Sequence, residues 1–455
     1  MRIRVLVVLV LLLILPSLTL ASGGETGSAH GLGADLSPLW VTFFVLMLLA
    51  IAILPLAASH WWERNLNKFW ISLVLAAPVL TLYLTQSPMS LVHTAEEYLS
   101  FIILLTALFV ISGGILLTGD LRATPLTNTA FLAIGTLLAS LMGTTGASML
   151  LIRPLLKTNS ERTHTVHTVL FFIFTTSNIG GCLTPLGDPP LFMGYLKGVP
   201  FEWTLKLFPE WVAVSGLLLL VYFIWDSIAF SREPTAALLR DKLLVQPLRI
   251  LGNLNWPLLL GVIACVIFLT EPKVVPESWP IHDREVVLIL LSLLSLRMTS
   301  RDVRRGNHFT WAPMVEVGVL FFGIFATMIP ALELLRTHGH ELGITQPWHF
   351  FWATGLLSAF LDNTPTYLTF FALGEGLGQP GFLDHIHMTE PVLRAISLGA
   401  VFFGANTYIG NAPNFMVKSI AEERGLKMPS FFGYLAISVL VLFPIFAAVT
   451  FLVFL

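Results

Sequence analysis

The sequence predicts an all-α integral membrane protein with about ten transmembrane helices and two re-entrant hairpins, arranged as two repeats of inverted topology. Three observations predict this architecture. The composition is 55% hydrophobic and only 11% charged, so the chain has more apolar surface than a soluble core can bury. Its apolar segments are long enough, or nearly so, to span a bilayer, and four of them are interrupted by polar residues. The two halves of the chain also match at a constant separation.

The first segment, residues 1–22, starts with two arginines among its first four residues and continues as an apolar run that ends at small residues. This order is typical of a secretory signal peptide. The run also approaches the ~17–25 residues that cross a bilayer, so an uncleaved first transmembrane helix is the alternative. Both interpretations leave the next segment outside the cytoplasm.

Uninterrupted apolar segments predict simple transmembrane helices. They lie at 38–59, 69–87, 98–118, 205–230, 256–271, 285–297, 315–335 and 431–455. Four longer segments are apolar at both ends but contain Gly, Pro, Asn, Thr or Asp in the middle, at 126–157, 166–196, 347–373 and 393–417. Irregular backbone at membrane depth persists only where protein or a wet cavity surrounds it, so we expect these four interruptions to meet at one site.

The Lys and Arg residues of the short loops predict which interrupted segments are hairpins. The loop with Lys157 and Arg162 falls on the cytoplasmic side only if segment 126–157 enters and leaves the membrane on the same side. We therefore predict one hairpin there, with its tip near residues 144–146. The same rule predicts a second hairpin at 347–373 that enters from the opposite side.

The two halves of the chain align with each other. Glu97 and Glu316 each open a helix, 219 residues apart, and the same separation superimposes the two hairpin tips. Each half then has an odd number of crossings, which turns the second copy upside down; chance alignment of apolar segments is the alternative. The predicted units are repeat 1 at 38–230 with hairpin 126–157 and broken helix 166–196, a cytoplasmic linker at 231–255, and repeat 2 at 256–455 with hairpin 347–373 and broken helix 393–417.

The interruptions are rich in side-chain oxygen atoms, and two of them add a carboxylate, Asp188 and Asp362. A charged group near the bilayer centre costs about 2.5–3.5 kcal/mol on the insertion scale. Asp188, Asn411 and Thr364 each precede a proline directly or by two residues, so N-capping of a restarting half-helix is the simpler explanation for them. Capping does not need a carboxylate, so the presence of two carboxylates favours a pocket for a hard cation such as sodium. The predicted ion- or substrate-binding residues are Asp188, Asp362, Asn363, Thr364, Ser177, Asn178, Thr144, Thr145, Asn406, Thr407 and Asn411.

Other titratable residues give weaker predictions. Glu97, Glu316 and His93 are expected near the membrane surface, where a solvated charge is the simpler interpretation and a role in proton transfer or gating is the alternative. Cys182 and Cys265 lie far apart in apolar segments, which does not indicate a disulfide or a Cys-rich metal site. A net charge of −2 with scattered basic residues argues against nucleic acid as a partner. The sequence has no nucleophile elbow, P-loop or HExxH motif, so it makes no positive case for an enzyme.

Two motifs carry a family resemblance. Residues 177–188 read Ser-Asn-Ile-Gly-Gly-Cys-Leu-Thr-Pro-Leu-Gly-Asp, and residues 361–365 read Leu-Asp-Asn-Thr-Pro. Both motifs resemble those of the NhaD-type sodium/proton antiporters, which belong to the ion transporter superfamily together with citrate, dicarboxylate and arsenite carriers. The resemblance covers most of the chain after residue 37.

The resemblance implies inverted repeats with hairpins and unwound helices, and a homodimer. It implies roles in ion binding for Asn178, Asp188, Asp362 and Asn363. NhaD-type antiporters also have an Asp-Asn pair in the first hairpin, where this chain has Gly143-Thr144. The loss of that carboxylate leaves the ion stoichiometry open, and with it the choice between antiport and symport.

We therefore predict a secondary active transporter of the bacterial inner (plasma) membrane that exchanges sodium for protons by alternating access. Sodium is expected at Asp188 and Asp362, with no cofactor, and the partners are the lipid bilayer and small ions or a small carboxylate. The alternative is a cation-coupled citrate or dicarboxylate transporter in which the regions around Ser177 and Thr144 bind carboxylate groups. A membrane-bound scaffold or enzyme is a third possibility, which predicts that the four interruptions do not meet.

Overall fold

A computed structural model describes residues 36–269, 281–383 and 386–455. The predicted signal peptide or first helix, residues 1–22, lies outside the described residues. Within them the protein is helical apart from one pair of short strands and an isolated bridge, which confirms the predicted all-α class. Helices of the first half, in chain order, are α1 (Val41–Ala57), α2 (Ser59–Trp62), α3 (Asn65–Gln86), α4 (Pro88–Ser112), α5 (Pro125–Met142), α6 (Thr144–Thr158), α7 (Val166–Thr175), α8 (Pro189–Leu196), α9 (Phe208–Ser231) and α10 (Thr235–Leu243).

The second half continues in the same way. Its helices are α11 (Asn255–Phe268), α12 (Asp283–Met298), α13 (Arg301–Gly306), α14 (Ala312–His338), α15 (Pro347–Ser358), α16 (Asn363–Glu375), α17 (Glu390–Phe403), α18 (Ala412–Glu423) and α19 (Phe431–Val449). Short 3₁₀ turns lie at Pro38–Trp40, Ile179–Leu183, Phe201–Leu207, Gly339–Leu342 and Gly404–Asn406, and a π-helical turn at Thr450–Phe454 ends the chain.

Eight helical stretches of the described chain are long and apolar enough to cross a membrane. They are Pro38–Pro55, Asn65–Gln86, Pro88–Ser112, Pro125–Met142, Val166–Leu183, Phe201–Ser231, Ala312–Leu342 and Phe431–Phe454. A protein with this composition and these helices is an integral membrane protein.

The eight stretches differ in how much of each one the protein itself covers. Only 17% of Pro38–Pro55 is buried, whereas 89% of Val166–Leu183 is buried. An apolar helix that is buried all round belongs to the interior, while one that exposes apolar side chains on most of its surface needs lipid around it. Val166–Leu183 therefore forms the centre of the molecule, and it includes the start of the motif at residues 177–188.

Helices end at all four interruptions. Gly143 separates α5 from α6 with a φ of 80°, a left-handed conformation that glycine adopts without steric cost. The second hairpin turns just before Asn363, the first residue of α16. In the two broken helices a 3₁₀ turn and an extended residue separate the halves, and proline at the first turn of α8 and of α18 starts the second half.

The pair of strands was not predicted. Strand β1 (Leu116–Asp120) pairs antiparallel with β2 (Gln246–Leu251), with Leu117 opposite Ile250. The predicted helix at 98–118 was too long, because the chain leaves the helix at Gly113-Gly114 and enters β1. The Gly114 carbonyl accepts a hydrogen bond from the side chain of Asn255 (2.8 Å), so the freed backbone is satisfied. The predicted linker 231–255 contains α10 and β2.

Candidate functional site

Asp188 is the residue from which the site is built. It precedes α8, is only 1% exposed, and does not cap that helix with its side chain. Its carboxylate accepts three hydrogen bonds from neutral side chains: Asn363 Nδ2 donates to Oδ2 (2.6 Å), while Thr144 Oγ1 (3.1 Å) and Asn411 Nδ2 (3.2 Å) donate to Oδ1. Asp188 and Asn411 belong to the two broken helices, Thr144 and Asn363 to the two hairpin tips. All four interruptions therefore meet at one carboxylate.

The amide of Asn411 has more acceptors than hydrogens. Its Nδ2 lies 3.2 Å from the carbonyl oxygen of Ser177, 3.3 Å from Oδ1 of Asn178 and 3.2 Å from the Asp188 carboxylate. An amide nitrogen has two hydrogens, so at most two of these three oxygens receive a full hydrogen bond at one time. At least one of the three oxygens therefore has a lone pair that receives no full hydrogen bond from Asn411.

Asn414 belongs to this cluster and was missed by the sequence analysis. It is fully buried, accepts a hydrogen bond from Asn178 Nδ2 (2.7 Å), and donates to the carbonyl oxygens of Gly404 (2.8 Å) and Thr407 (2.9 Å). Asn414 therefore ties the unwound part of the second broken helix to the first. The signal was its position three residues after Asn411, which puts both amides on one face of a helical turn.

Asp362 has a different environment. It is only partly buried, and its carboxylate accepts a hydrogen bond from the backbone N–H of Thr364 (3.0 Å), which is the N-cap bond of α16. The next residue, Asn363, donates to Asp188, so the two aspartates are linked through neighbouring residues of the second hairpin tip. Capping explains the local geometry of Asp362 but not that of Asp188.

The other predicted residues surround this centre. Ser177 is fully buried, and its hydroxyl lies 2.8 Å from that of Ser148 in the first hairpin. Asn406 donates to the carbonyl of Phe403 (3.1 Å) and keeps a buried side-chain oxygen without a partner within the described chain. Of the remaining three, Thr364 and Thr407 are buried and Thr145 is partly exposed beside Thr144.

Each broken helix is bound to the hairpin of its own half through the same kind of contact. The Thr184 hydroxyl donates to the carbonyl of Ser140, and the Thr407 hydroxyl donates to the carbonyl of Ala359. Ser140 and Ala359 are the residues that the 219-residue repeat aligns. Backbone of the first hairpin also reaches the break directly, since the N–H of Thr144 donates to the carbonyl of Gly187 (2.9 Å).

A protein-family model described as "Putative citrate transport" matches residues 33–454. The chain belongs to this family. A search of curated proteins found no match. The family match and the apolar helices make the protein a membrane transporter rather than an enzyme. They confirm the predicted relation to the ion transporter superfamily with its citrate carriers, while the NhaD-type specificity stays a prediction.

The donor set of this transporter suits a hard cation. Within the described residues no Lys, Arg or His side chain forms an ion pair with Asp188 or Asp362, and the neighbours of Asp188 are amides and a hydroxyl. Carboxylate, amide and hydroxyl oxygens are the ligands that alkali and alkaline-earth ions prefer. Four helices, α6, α8, α16 and α18, begin at or directly after the residues that form the Asp188 cluster.

Glu97, Glu316 and His93 lie apart from the Asp188 cluster. Glu97 forms an ion pair with Lys197, and Glu316 forms one with Lys68 (2.6 Å). The His93 side chain is 66% exposed, with Glu96 at 3.5 Å. The partners of the two glutamates are 100 and 248 positions away in the sequence, so no local pattern indicates these ion pairs. A role in gating stays a prediction for all three residues.

Arg162, which the charge rule assigns to a cytoplasmic loop, forms a buried ion pair. Its side chain is fully buried and binds Asp226 through both guanidinium ends, at 2.7 and 3.1 Å. His167 also contacts Asp226 (2.8 Å), and Asn128 of the first hairpin donates to it (3.2 Å). The cluster fixes the end of hairpin 126–157 to α9, because a desolvated ion pair is stable only when its geometry is held by surrounding hydrogen bonds.

Proposed function

We propose that the protein exchanges sodium for protons by alternating access, with Asp188 and Asp362 as the ligands of the exchanged ions. The observation that carries the proposal is the burial of Asp188 among neutral donors. An ionised carboxylate in a dry interior is costly unless it is both hydrogen-bonded and paired with a positive charge. The described neighbours supply the hydrogen bonds only, so a proton or a cation has to supply the charge.

The surplus of oxygen atoms near Asn411 supports sodium as the cation. Three acceptors compete for its two amide hydrogens, and the carbonyl oxygen of Ser177 and Oδ1 of Asn178 are among them. A bound sodium ion takes such oxygens as ligands, whereas a proton needs only one of them. Sodium and a proton would therefore compete for the Asp188 carboxylate, which is the requirement for exchange.

We also propose that the chain forms two inverted repeats of five crossings and one hairpin each. The paired bonds Thr184 to Ser140 and Thr407 to Ala359 support the repeat. If the repeats are inverted, equivalent loops lie on opposite sides of the membrane. Cysteine placed at Ser160 or at Gln379, the loops after the two hairpins, should react with an impermeant maleimide from opposite sides; labelling of both from one side would contradict the inversion. The native Cys182 and Cys265 are buried and serve as an unreactive background.

A cation-coupled citrate transporter is the second candidate, and the family match over residues 33–454 favours it. The helix starts at the site also favour it, since the exposed N–H groups of a helix N-terminus attract anions. Asp188 and Asp362 act against it at the same place, because they repel a carboxylate unless protons or cations neutralise them first. In this candidate the two aspartates would bind the coupling ions.

Transport by purified protein in liposomes tests both candidates. An imposed sodium gradient is applied, and internal pH and labelled citrate uptake are measured in parallel. Proton movement that does not need citrate supports exchange. Sodium-dependent citrate uptake without such proton movement contradicts it and supports the second candidate. Absence of both signals contradicts both.

A further inference from the structure

A basic cleft lies at the ends of α6 and α18 that are remote from Asp188. It has a volume of about 170 Å³, and its walls are β1, the second half of α6, the residues that follow α13, and Arg424 at the end of α18. An adjoining cleft of about 210 Å³ shares Met149, Arg153 and His308 with it and extends to Glu423. No sequence motif indicates a site in this region.

The charges of the cleft are mainly positive. Arg153, Lys157 and Arg424 line it together with the side chain of His308, while Glu423 of the adjoining cleft is the one carboxylate among the described lining residues. One guanidinium nitrogen of Arg153, Nη1, is buried without a hydrogen-bond partner within the described chain. A buried donor without a partner is costly, and an oxyanion is the acceptor that best fits a guanidinium group.

One lining residue of the cleft, His308, has an unusual backbone conformation. His308 has a φ of 52°, in the left-handed region, which non-glycine residues seldom adopt. Its neighbour Asn307 is buried and donates to the carbonyl of Gly113 (3.0 Å) and to that of Ile115. These bonds fix the position of the His308 backbone at the cleft without using its ring.

Two helices connect the cleft with the Asp188 cluster. Helix α6 starts at Thr144 and α18 starts directly after Asn411, and both of those residues donate to Asp188. Arg153 is nine residues after Thr144, roughly 13 Å at the rise of an α-helix. The charge rule predicts that this end of the two helices faces the cytoplasm.

We propose that the basic cleft is a binding site for a small di- or tricarboxylate on the side of the protein that carries the basic loops. Several cationic groups around one small volume match an anion with several carboxylate groups, and Arg153 supplies the planar pair of donors that a carboxylate accepts. The volume is below the roughly 300–1,000 Å³ of pockets for drug-sized ligands, which restricts the site to small anions. This site goes beyond sodium/proton exchange and does not depend on it.

Calorimetric titration of citrate into the full chain, purified in detergent with neutral lipid, tests the proposal. Arg153→Gln should increase the citrate Kd about tenfold or more, because it removes a charge-assisted hydrogen bond. Arg424→Gln, at an exposed position, should weaken binding in the same direction without risk to folding. Arg240→Gln is the matched control, since Arg240 is exposed on α10 and does not line the cleft. Equal Kd values in the wild type and both cleft variants, or no binding of citrate at all, would overturn the proposal.

Two further titrations identify the anion. Inorganic phosphate should bind more weakly than citrate, and equal affinity would overturn the assignment to a carboxylate. Addition of phosphatidylglycerol should leave the citrate Kd unchanged; loss of citrate binding in its presence would assign the cleft to a lipid headgroup instead.

Sodium/proton exchange in liposomes, measured on the Arg424→Gln variant, should equal that of the wild type, so failure of one proposal is separable from failure of the other.

Discussion

The two broken helices have the same backbone break but different side chains at its end. In each, a 3₁₀ turn leads to an extended residue directly before the second half-helix; that residue is Asp188 in the first and Asn411 in the second. Neither caps its own helix, and Asn411 donates to Asp188. The second helix therefore supplies a donor where the first supplies a carboxylate, so the same backbone break in both halves produces one asymmetric polar cluster.

The hairpin tips differ in the opposite way. The first tip contributes the hydroxyl of Thr144, while the second contributes the Asn363 amide next to the Asp362 carboxylate. Each half thus supplies one carboxylate, at a different element. The carboxylate of the first half, Asp188, is buried and needs a partner for its charge. The carboxylate of the second half, Asp362, is partly exposed and caps a helix. We expect the two aspartates to differ in how strongly they control transport and stability.

The largest effect is expected for Asp188→Asn, which makes the two broken helices alike at this position. The variant keeps the size of the side chain and removes the charge that sodium or a proton would neutralise, so ion exchange should be lost. Proton flux in liposomes under an imposed sodium gradient measures it. Asp302→Asn, at an exposed position on α13, is the control for insertion and purification. A wild-type rate in the Asp188 variant would remove this carboxylate from the mechanism.

Asp362→Asn should also abolish coupled transport, but at no cost to folding. Asparagine is as good an N-cap as aspartate, so the bond to the N–H of Thr364 persists. Thermal unfolding in detergent should therefore match the wild type while the liposome assay shows no exchange. Normal exchange would show that Asp362 acts only as a cap.

Asn411→Asp tests the difference between the two broken helices, because it places a second carboxylate against Asp188. Two carboxylates in contact do not both ionise without a cation between them, so the variant should take up a proton or bind sodium more strongly. We expect a lower unfolding temperature in sodium-free buffer and a larger increase on addition of sodium than the wild type shows. The same sodium response in both proteins would contradict a cation site at this position.

The smallest effects are expected at the glycines of the two breaks. A methyl group at Gly187 would stand 2.2 Å from the carbonyl oxygen of Gly181, and one at Gly410 would stand 2.7 Å from that of Gly404. Both contacts are with backbone, which moves little, so each alanine variant should lose about 1–3 kcal/mol of stability, Gly187→Ala more than Gly410→Ala. Thermal unfolding measures the order, and Gly216→Ala, with open space around it, is the control. The reverse order would mean that the second break is the more rigid one.

The sequence identified the residues at the centre of the site better than their roles. Asp188, Asn363, Thr144 and Asn411 were predicted because each interrupts an apolar segment, and the structure brings these four together. N-capping was the simpler explanation for Asp188, Asn411 and Thr364, but the capping residue of the second hairpin is Asp362, and neither Asp188 nor Asn411 caps its helix with its side chain. A cap position fixes the backbone angles of a residue but not the direction of its side chain, so the sequence did not distinguish the two aspartates.

Other features escaped the sequence because they depend on partners distant along the chain. Arg162 lies in a loop, and its partner Asp226 is 64 residues later in the sequence, so no local pattern indicates the ion pair. Strand β1 is short and continues an apolar helix, so its composition does not mark it as a strand until β2 pairs with it. Asn414 is one polar residue in an amphipathic helix, and only the packing of the two broken helices shows what it binds.

The sequence by itself determined that lipid surrounds this protein and where its helices break, because hydropathy and the conformational preferences of Gly and Pro act over a few neighbouring residues. Only the tertiary structure decided that Asp188 lies among three donors and Asp362 does not. Those donors come from residues 44 to 223 positions away, and their convergence depends on how whole helices pack.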